Sequence, residues 1–304
     1  MDIKIPELII EGVYTSDGAG VKLERIFGSP RTVQITDPFL LLDFFGSSKL
    51  SDYENGFPWH PHRGIETITL QLRGKTYHED SEGHKGIILP GELQWMTAGS
   101  GIFHQEMPKP IYYGDKVPSI KDDANAGIQL WLNMPAANKM DEPAYRSIRE
   151  EQVPVEEDDY GNKIGVISGN FKKVAGALNE SFQYELAEKI NPYYLRIKTI
   201  AKGKFETNIP EGHRAIIFVI GGLISVNDKE LVSEGRAVIL STKGKLLSFY
   251  ADQPSDVIII AGRPLNEPIS WYGPIVMNTR EEIAQAIKEL NDGTFIKENN
   301  PLWQ

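Results

Sequence analysis

HPHRGIETITLQLRG, residues 60–74, carries the pattern that decides the fold. Two histidines one residue apart lead into Gly64. The run Ile65-Glu66-Thr67-Ile68-Thr69-Leu70 then mixes apolar with β-branched polar residues until Gly74 closes it. That composition, bounded by glycines, is the mark of a strand. Runs of the same kind recur along the chain: Gly86-Ile87-Ile88-Leu89, Ile128-Gln129-Leu130-Trp131-Leu132, Tyr194-Leu195-Arg196-Ile197, Ala215-Ile216-Ile217-Phe218-Val219-Ile220, Ala237-Val238-Ile239-Leu240 and Asp256-Val257-Ile258-Ile259-Ile260. The 28 glycines and 19 prolines are spread between them as turns. Many short strands with frequent turns predict an all-β sandwich or barrel.

One helix is predicted near the end. Thr279 is a suitable cap and Glu282, three residues on, completes a capping box. Ile283, Ala286, Ile287 and Leu290 share one face, and Gly293 supplies the stop.

The length of 304 residues suits two domains. A faint repeat points the same way: His62-Arg63 precedes a β-rich run ending at Gly74, and His213-Arg214 precedes another ending at Gly221-Gly222. The acidic, proline-containing stretch EEQVPVEEDDYG, residues 150–161, is the expected connection. The expected division is therefore residues 1–150 and residues 151–304, the second ending in the helix.

Charge and composition narrow the function. A net charge of −10 repels phosphate backbones, so direct nucleic-acid binding is not expected. With no cysteine, thiolate nucleophiles, disulfides and cysteine-ligated metal are excluded. No stretch reads as a targeting or membrane-spanning segment, and a cytoplasmic location is expected.

The chemistry-bearing residues are histidines. His60-Pro61-His62 and His104-Gln105-Glu106 are both alternate-residue pairs. On a strand, residues two apart project to the same face, so two neighbouring strands can send four ligands into one barrel interior. Three imidazoles and a carboxylate suit a borderline divalent metal: Fe, Ni, Cu, Mn or Zn. Glu66, four residues after His62, would face the same way in a regular strand. It could be a fifth ligand, a plain strand residue or an acceptor for a histidine N–H, and the last is favoured; a bulge at Gly64 would disturb that count. His78 and His84 lie in the polar segment HEDSEGHKG and are expected to be exposed, and His213 is expected to be a packing residue.

With these residues in view, the chain resembles the pirin family. The similarity is strongest in GFPWHPHRGIETIT, residues 56–69, and PGELQWMTAGSGIFHQEMP, residues 90–108, and extends to DPFLLLDFF, GIQLWLNMP, GVISG and GPIVMNTREEI. The resemblance implies two antiparallel β-barrel domains of cupin type, with His60, His62, His104 and Glu106 as ligands of one metal in the first and none in the second. Iron is the metal it implies for the eukaryotic members, while the four-ligand set itself does not select iron. The segment KPIYYGDKVPSIKDDANA, residues 109–126, is longer than the family's corresponding loop. It is either a cover for the pocket mouth or a solvated insertion.

Two function classes follow from the resemblance. One is a dioxygenase of the quercetin 2,3-dioxygenase type, which cleaves a flavonol with O2 and releases CO. There Glu106 is the candidate base, and Phe45, Phe57, Trp59 and Phe103 are candidate pocket walls. The other is a non-enzymatic, metal-dependent regulatory protein similar to pirin transcription cofactors, nuclear in a eukaryote, with an unnamed protein partner. The complete ligand set favours the first.

Overall fold

The computed structural model describes residues 2–111, 125–182, 184–227 and 229–297. The sequence's expectation for residues 109–126 therefore falls largely outside the described residues. The fold is built from antiparallel sheets, and the chain forms two compact units, each with a seven-stranded and a four-stranded sheet. None of the described helices is long and apolar enough to cross a membrane.

One unit comprises Met1–Val13, Thr32–Pro38 and Glu151–Leu265. Its larger sheet runs Pro6–Glu11, Arg236–Leu240, Arg214–Gly221, Asp256–Gly262, Tyr193–Lys198, Lys163–Ser168 and Val155–Glu157. Ile164, Leu195, Phe205, Ile217, Val238 and Ile259 are all buried together in its apolar core. His213 is buried here and packs edge-on against Tyr193, so it acts as a packing residue.

The other unit comprises Tyr14–Arg31, Phe39–Glu150 and Asn266–Gln304. Its larger sheet runs Ala144–Ile148, Leu93–Thr97, Ile65–Arg73, Asn125–Asn133, Phe39–Ser47, Val21–Phe27 and Val13–Asp17; its smaller one runs Phe57–His62, Ile102–Lys109, Lys75–Asp80 and Lys85–Ile88. Gly64 makes the corner between sheets. Its φ is +77°, and a Cβ there would collide with the carbonyl of Val276, so only glycine serves.

The units interleave in the sequence, which a division at residue 150 does not convey. The N-terminal strand Pro6–Glu11 pairs with Arg236–Leu240. The helix Arg280–Asp292, expected to close the second domain, packs instead in the unit that holds residues 39–150. Its caps are as expected: Thr279 Oγ1 accepts from the Glu282 N–H at 3.1 Å, Glu282 Oε2 accepts from the Thr279 N–H at 2.8 Å, and Gly293 adopts φ +71°. The helix goes there because its apolar face meets a partner: Ile283 and Ala286 join Ile275, Met277 and Phe295 in a cluster against which Phe103 packs.

A buried charge pair fastens this C-terminal segment. Arg63 is 2% exposed; its Nε donates to Ser100 O at 2.6 Å, Nη2 donates to Phe295 O at 2.9 Å, and Nη2 pairs with Glu289 Oε2 at 2.7 Å. Burial alone would raise the Glu289 carboxyl, but Lys297, Gln285 and Arg63 outweigh it and hold the group at about 2, from an ordinary 4.5. A carboxyl depressed in the folded state stabilises above its unfolded pKa and loses that contribution as pH falls toward its folded value. Glu289→Gln should therefore lower the melting temperature at neutral pH, with the deficit against wild type shrinking as pH falls from about 5 toward about 2. Thermal melts across that range check this; a deficit independent of pH would refute it.

Candidate metal centre

His60 and His62 stand on the strand Phe57–His62, and His104 on its neighbour Ile102–Lys109, in register with His60. The three ring systems converge: among the described residues His60, His62 and His104 form the group whose ligand atoms all lie within 4.8 Å of one another. His60 Nε2 is 3.0 Å from His62 Nε2 and 2.9 Å from His104 Nε2.

What these nitrogens carry is decided by two carbonyls. His60 Nδ1 lies 2.8 Å from Pro58 O, and His62 Nδ1 lies 3.2 Å from Pro274 O. A carbonyl only accepts, so each Nδ1 must hold the proton, and in a neutral ring Nε2 is left with its lone pair. Burial, and then the neighbouring His60, drive His62 and His104 well below the ordinary histidine range, so both rings are neutral. The lone pair of His62 Nε2 thus faces His60 Nε2 at 3.0 Å, where a cation can share it. The donor set therefore fits a metal ion, and the carbonyls supply the outer hydrogen bonds that ligating imidazoles commonly use.

Glu106, two residues beyond His104, is buried and opens on the same cavity, but it is not among the three converging groups. The strand pairing slips here: His104 faces His60, whereas Glu106 faces Phe57. Its Oε1 accepts a hydrogen bond from Thr69 at 3.0 Å, and Thr69 in turn meets Gln129 Oε1 at 2.5 Å. One hydroxyl has one proton, so if it is spent on Glu106, the Gln129 amide must present its N–H to Thr69.

Glu66 is placed elsewhere. It accepts from Trp95 Nε1 at 2.7 Å and Thr97 Oγ1 at 2.9 Å, with Arg146 at 3.8 Å. Counting four residues from His62 fails because the chain turns at Gly64 from one sheet into the other. Alternation then puts Thr69 on the cavity side and Glu66 on the opposite face. Phe103 is also corrected: it projects away from His104 and packs on Phe295 and the C-terminal helix. Phe45, Phe57 and Trp59 do line the cavity.

The cavity has a volume of about 720 Å³ and is walled further by Trp131 and Trp271. Trp131 meets His62 edge-on, with ring centroids 5.2 Å apart. His78 was expected at the surface but is 2% exposed, because its strand Lys75–Asp80 pairs with the His104 strand and aligns it with Glu106. Its ring lies 5.4 Å from that of His104 and stacks on Tyr145, and Gln94 Nε2 donates to its Nδ1 at 3.0 Å. His84, by contrast, has a 45% exposed side chain and bonds to Asp80. A signal for His78 was present: His78-Glu79-Asp80 repeats the alternate spacing of the two recognised pairs. Thr69, Gln129, Trp131 and Trp271 had none, since only the sheet register brings them to the site.

Comparison with known proteins agrees with this architecture. The family model described as Pirin matches residues 20–132, and that of the pirin C-terminal cupin domain matches residues 194–296. A relative from Thermoplasma acidophilum, provisionally named quercetin 2,3-dioxygenase, is 57% identical over 261 residues, covering 86% of this chain and 100% of that protein. A crystal structure of quercetin 2,3-dioxygenase from Acinetobacter baumannii is similar with a TM-score of 0.83 and 31% identity, covering 96% of this chain and 98% of that one. A bacterial pirin from Escherichia coli, solved in complex with nickel(II), shares the fold at a TM-score of 0.59 and 20% identity, covering 84% of this chain and 98% of that one. Matches of this extent mean that the chain belongs to the pirin family.

Proposed function

We propose that this chain is a mononuclear metal-dependent dioxygenase acting on flavonols, of the quercetin 2,3-dioxygenase type, consuming O2 and releasing CO. The observation that carries the reading is the meeting of three imidazoles, with ring nitrogens 2.9 to 3.0 Å apart, at the wall of an aromatic-lined cavity. The names carried by the Thermoplasma and Acinetobacter proteins support it.

In this reading His60, His62 and His104 hold the metal, with Glu106 beside them as a fourth donor. Iron is the metal this reading favours, with nickel, copper, manganese and zinc compatible with the donor types. A bound dication supplies Lewis acidity, lowering the pKa of a substrate hydroxyl so that it can lose its proton near neutrality. Uncharged imidazoles leave much of the dication's charge uncompensated, which favours an anionic oxygen.

The chain's own residues do the rest. Glu106 receives the hydroxyl proton, and Thr69 restrains the carboxylate that receives it. Phe45, Phe57, Trp59 and Trp131 hold a flat ring system and exclude water from the reacting face. The substrate is then oriented before oxygen arrives, so the protein's contribution is mostly positioning.

Two measurements test this. His104→Ala should weaken the affinity for metal by roughly tenfold or more, since losing a ligand costs at least what losing an outer partner does. A metal titration reads that directly, and unchanged affinity would remove His104 from the site. Glu106→Gln should retain metal yet slow depletion of quercetin absorbance by roughly 10²- to 10⁴-fold, the usual worth of a positioned base. Full activity in that variant would exclude Glu106 as base. A wild-type protein reconstituted with Fe, Ni, Cu or Mn that consumes no flavonol would put a non-catalytic binding role in place of the enzyme.

A further inference from the structure

The cavity has a second chemical feature that the proposed reaction does not use. Four residues stand side by side across four adjacent strands: Arg25 opposite Asp43, Asp43 opposite Gln129, and Gln129 opposite Thr69. All four line the cavity that contains His60, His62 and Glu106. Neighbouring strands lie roughly 4.8 Å apart, so three steps place Arg25 about 14 Å along the sheet from Thr69, the residue that touches Glu106. The row joins the histidine side of the cavity to a charged group well removed from it.

The geometry of that group is specific. Arg25 Nε donates to Asp43 Oδ1 at 2.9 Å and Nη2 donates to Asp43 Oδ2 at 2.7 Å, a two-pronged pair. Nη2 also donates to Asp17 Oδ2 at 2.8 Å. Nη1 has no partner among the described residues. The side chains grade from Asp43, 6% exposed, through Arg25 at 29%, to Asp17 at 54%. Asp43 is thus the buried strut that aims the guanidinium, and Asp17 is the accessible acceptor beside it.

The other unit's own two-pronged pair, Arg196 with Asp256, is not part of its apolar core, so the architecture does not require such a pair inside. The other unit has the same seven-plus-four sheet arrangement, and its interior is filled by apolar residues such as Ile164, Leu195, Ile217 and Ile259. Replacing a buried ion pair by apolar side chains is often neutral or stabilising. Burial also pushes the Asp43 carboxyl upward against the pull of Arg25, a sign of the desolvation it bears. A costly polar group kept in a ligand-sized cavity points to a ligand.

We propose that Arg25, Asp43 and Asp17 form a second anchoring subsite that binds hydroxyl groups on the part of a planar polyhydroxylated aromatic substrate farthest from the metal. This rests on the flavonol reading and names what distinguishes good substrates within that class. Arg25 Nη1–H donates to a phenolic oxygen, while the carboxylate of Asp17 accepts a phenolic O–H. A ring with neighbouring hydroxyls offers both partners at once. Two carboxylates against one guanidinium leave this end net negative, so it disfavours carboxylates and phosphates. The span also exceeds a single six-membered ring, which selects substrates with two linked ring systems.

The test is equilibrium binding to the metal-reconstituted protein without oxygen, followed by quenching of tryptophan fluorescence. Quercetin, hydroxylated on both ring systems, is compared with 3-hydroxyflavone, which keeps only the hydroxyl meant for the metal. Wild type should prefer quercetin by about 10- to 100-fold, the worth of one or two hydrogen bonds to charged groups. Asp17→Asn, at an accessible position, should reduce that preference by about tenfold. The double variant Arg25→Gln with Asp43→Asn removes both buried charges together and should bring the preference close to unity. Equal affinities in wild type, or a preference unchanged in both variants, would overturn the subsite and leave the flavonol reading intact. Binding of neither flavonol would overturn both.

Discussion

The proton positions on His60 and His62 are set by the carbonyl oxygens of Pro58 and Pro274, and the site's chemistry depends on that. A histidine has one lone pair to offer when neutral, and which nitrogen offers it depends on the bond made by the other. With both Nδ1 atoms committed to carbonyls, the Nε2 atoms face inward, that of His62 as an acceptor. Burial disfavours a proton on either inner ring, His62 or His104. The folded chain thereby holds a concentration of electron pairs that a cation would stabilise.

Pro274 lies more than two hundred positions from His62, so the fold must bring the C-terminal segment to the histidines and keep it there. Several buried contacts do so. Arg63, next to His62, bonds to Phe295 O and pairs with Glu289, while its own carbonyl accepts from the Val276 N–H at 3.1 Å. Lys139 Nζ donates to Gly64 O at 2.7 Å, Asn133 Oδ1 at 2.7 Å and Val276 O at 2.9 Å. Three donors of an ammonium meet three acceptors, which lets a lysine be buried although burial draws its pKa down to about 7. The Pro274 carbonyl is consequently as fixed as a residue within the histidine strands.

This long-range closure explains which parts of the site were legible in the sequence. His60, His62 and His104 could be read because alternation along a strand is local, and two local pairs need only one strand pairing to meet. The capping box at Thr279 was legible for the same reason. Glu66 was misplaced because one left-handed glycine, Gly64, changes sheets and resets the alternation. Phe103 and the helix partnership were misjudged because the helix's apolar stripe states that it must bury something without stating what. His78 reads as exposed from its polar neighbours, although those neighbours pair across strands. Asp43 lies in the stretch DPFLLLDFF, but nothing in the sequence pairs it with Arg25, and only the register aligns them.

The two units differ in what their interiors hold. One has a core of branched aliphatic and aromatic side chains. The other spends the same interior on imidazoles, Glu106, Thr69, Gln129 and Asp43, each needing a partner if burial is not to be severely unfavourable. The hydrogen bonds of Thr69 and Arg25 meet that need in two groups, Thr69 with Glu106 and Gln129, and Arg25 with Asp43. In the first group one hydroxyl lies between the Gln129 amide and the Glu106 carboxylate. The constraint that keeps the cavity polar without collapse is therefore the same one that aims its carboxylate, and the apolar unit has no use for either.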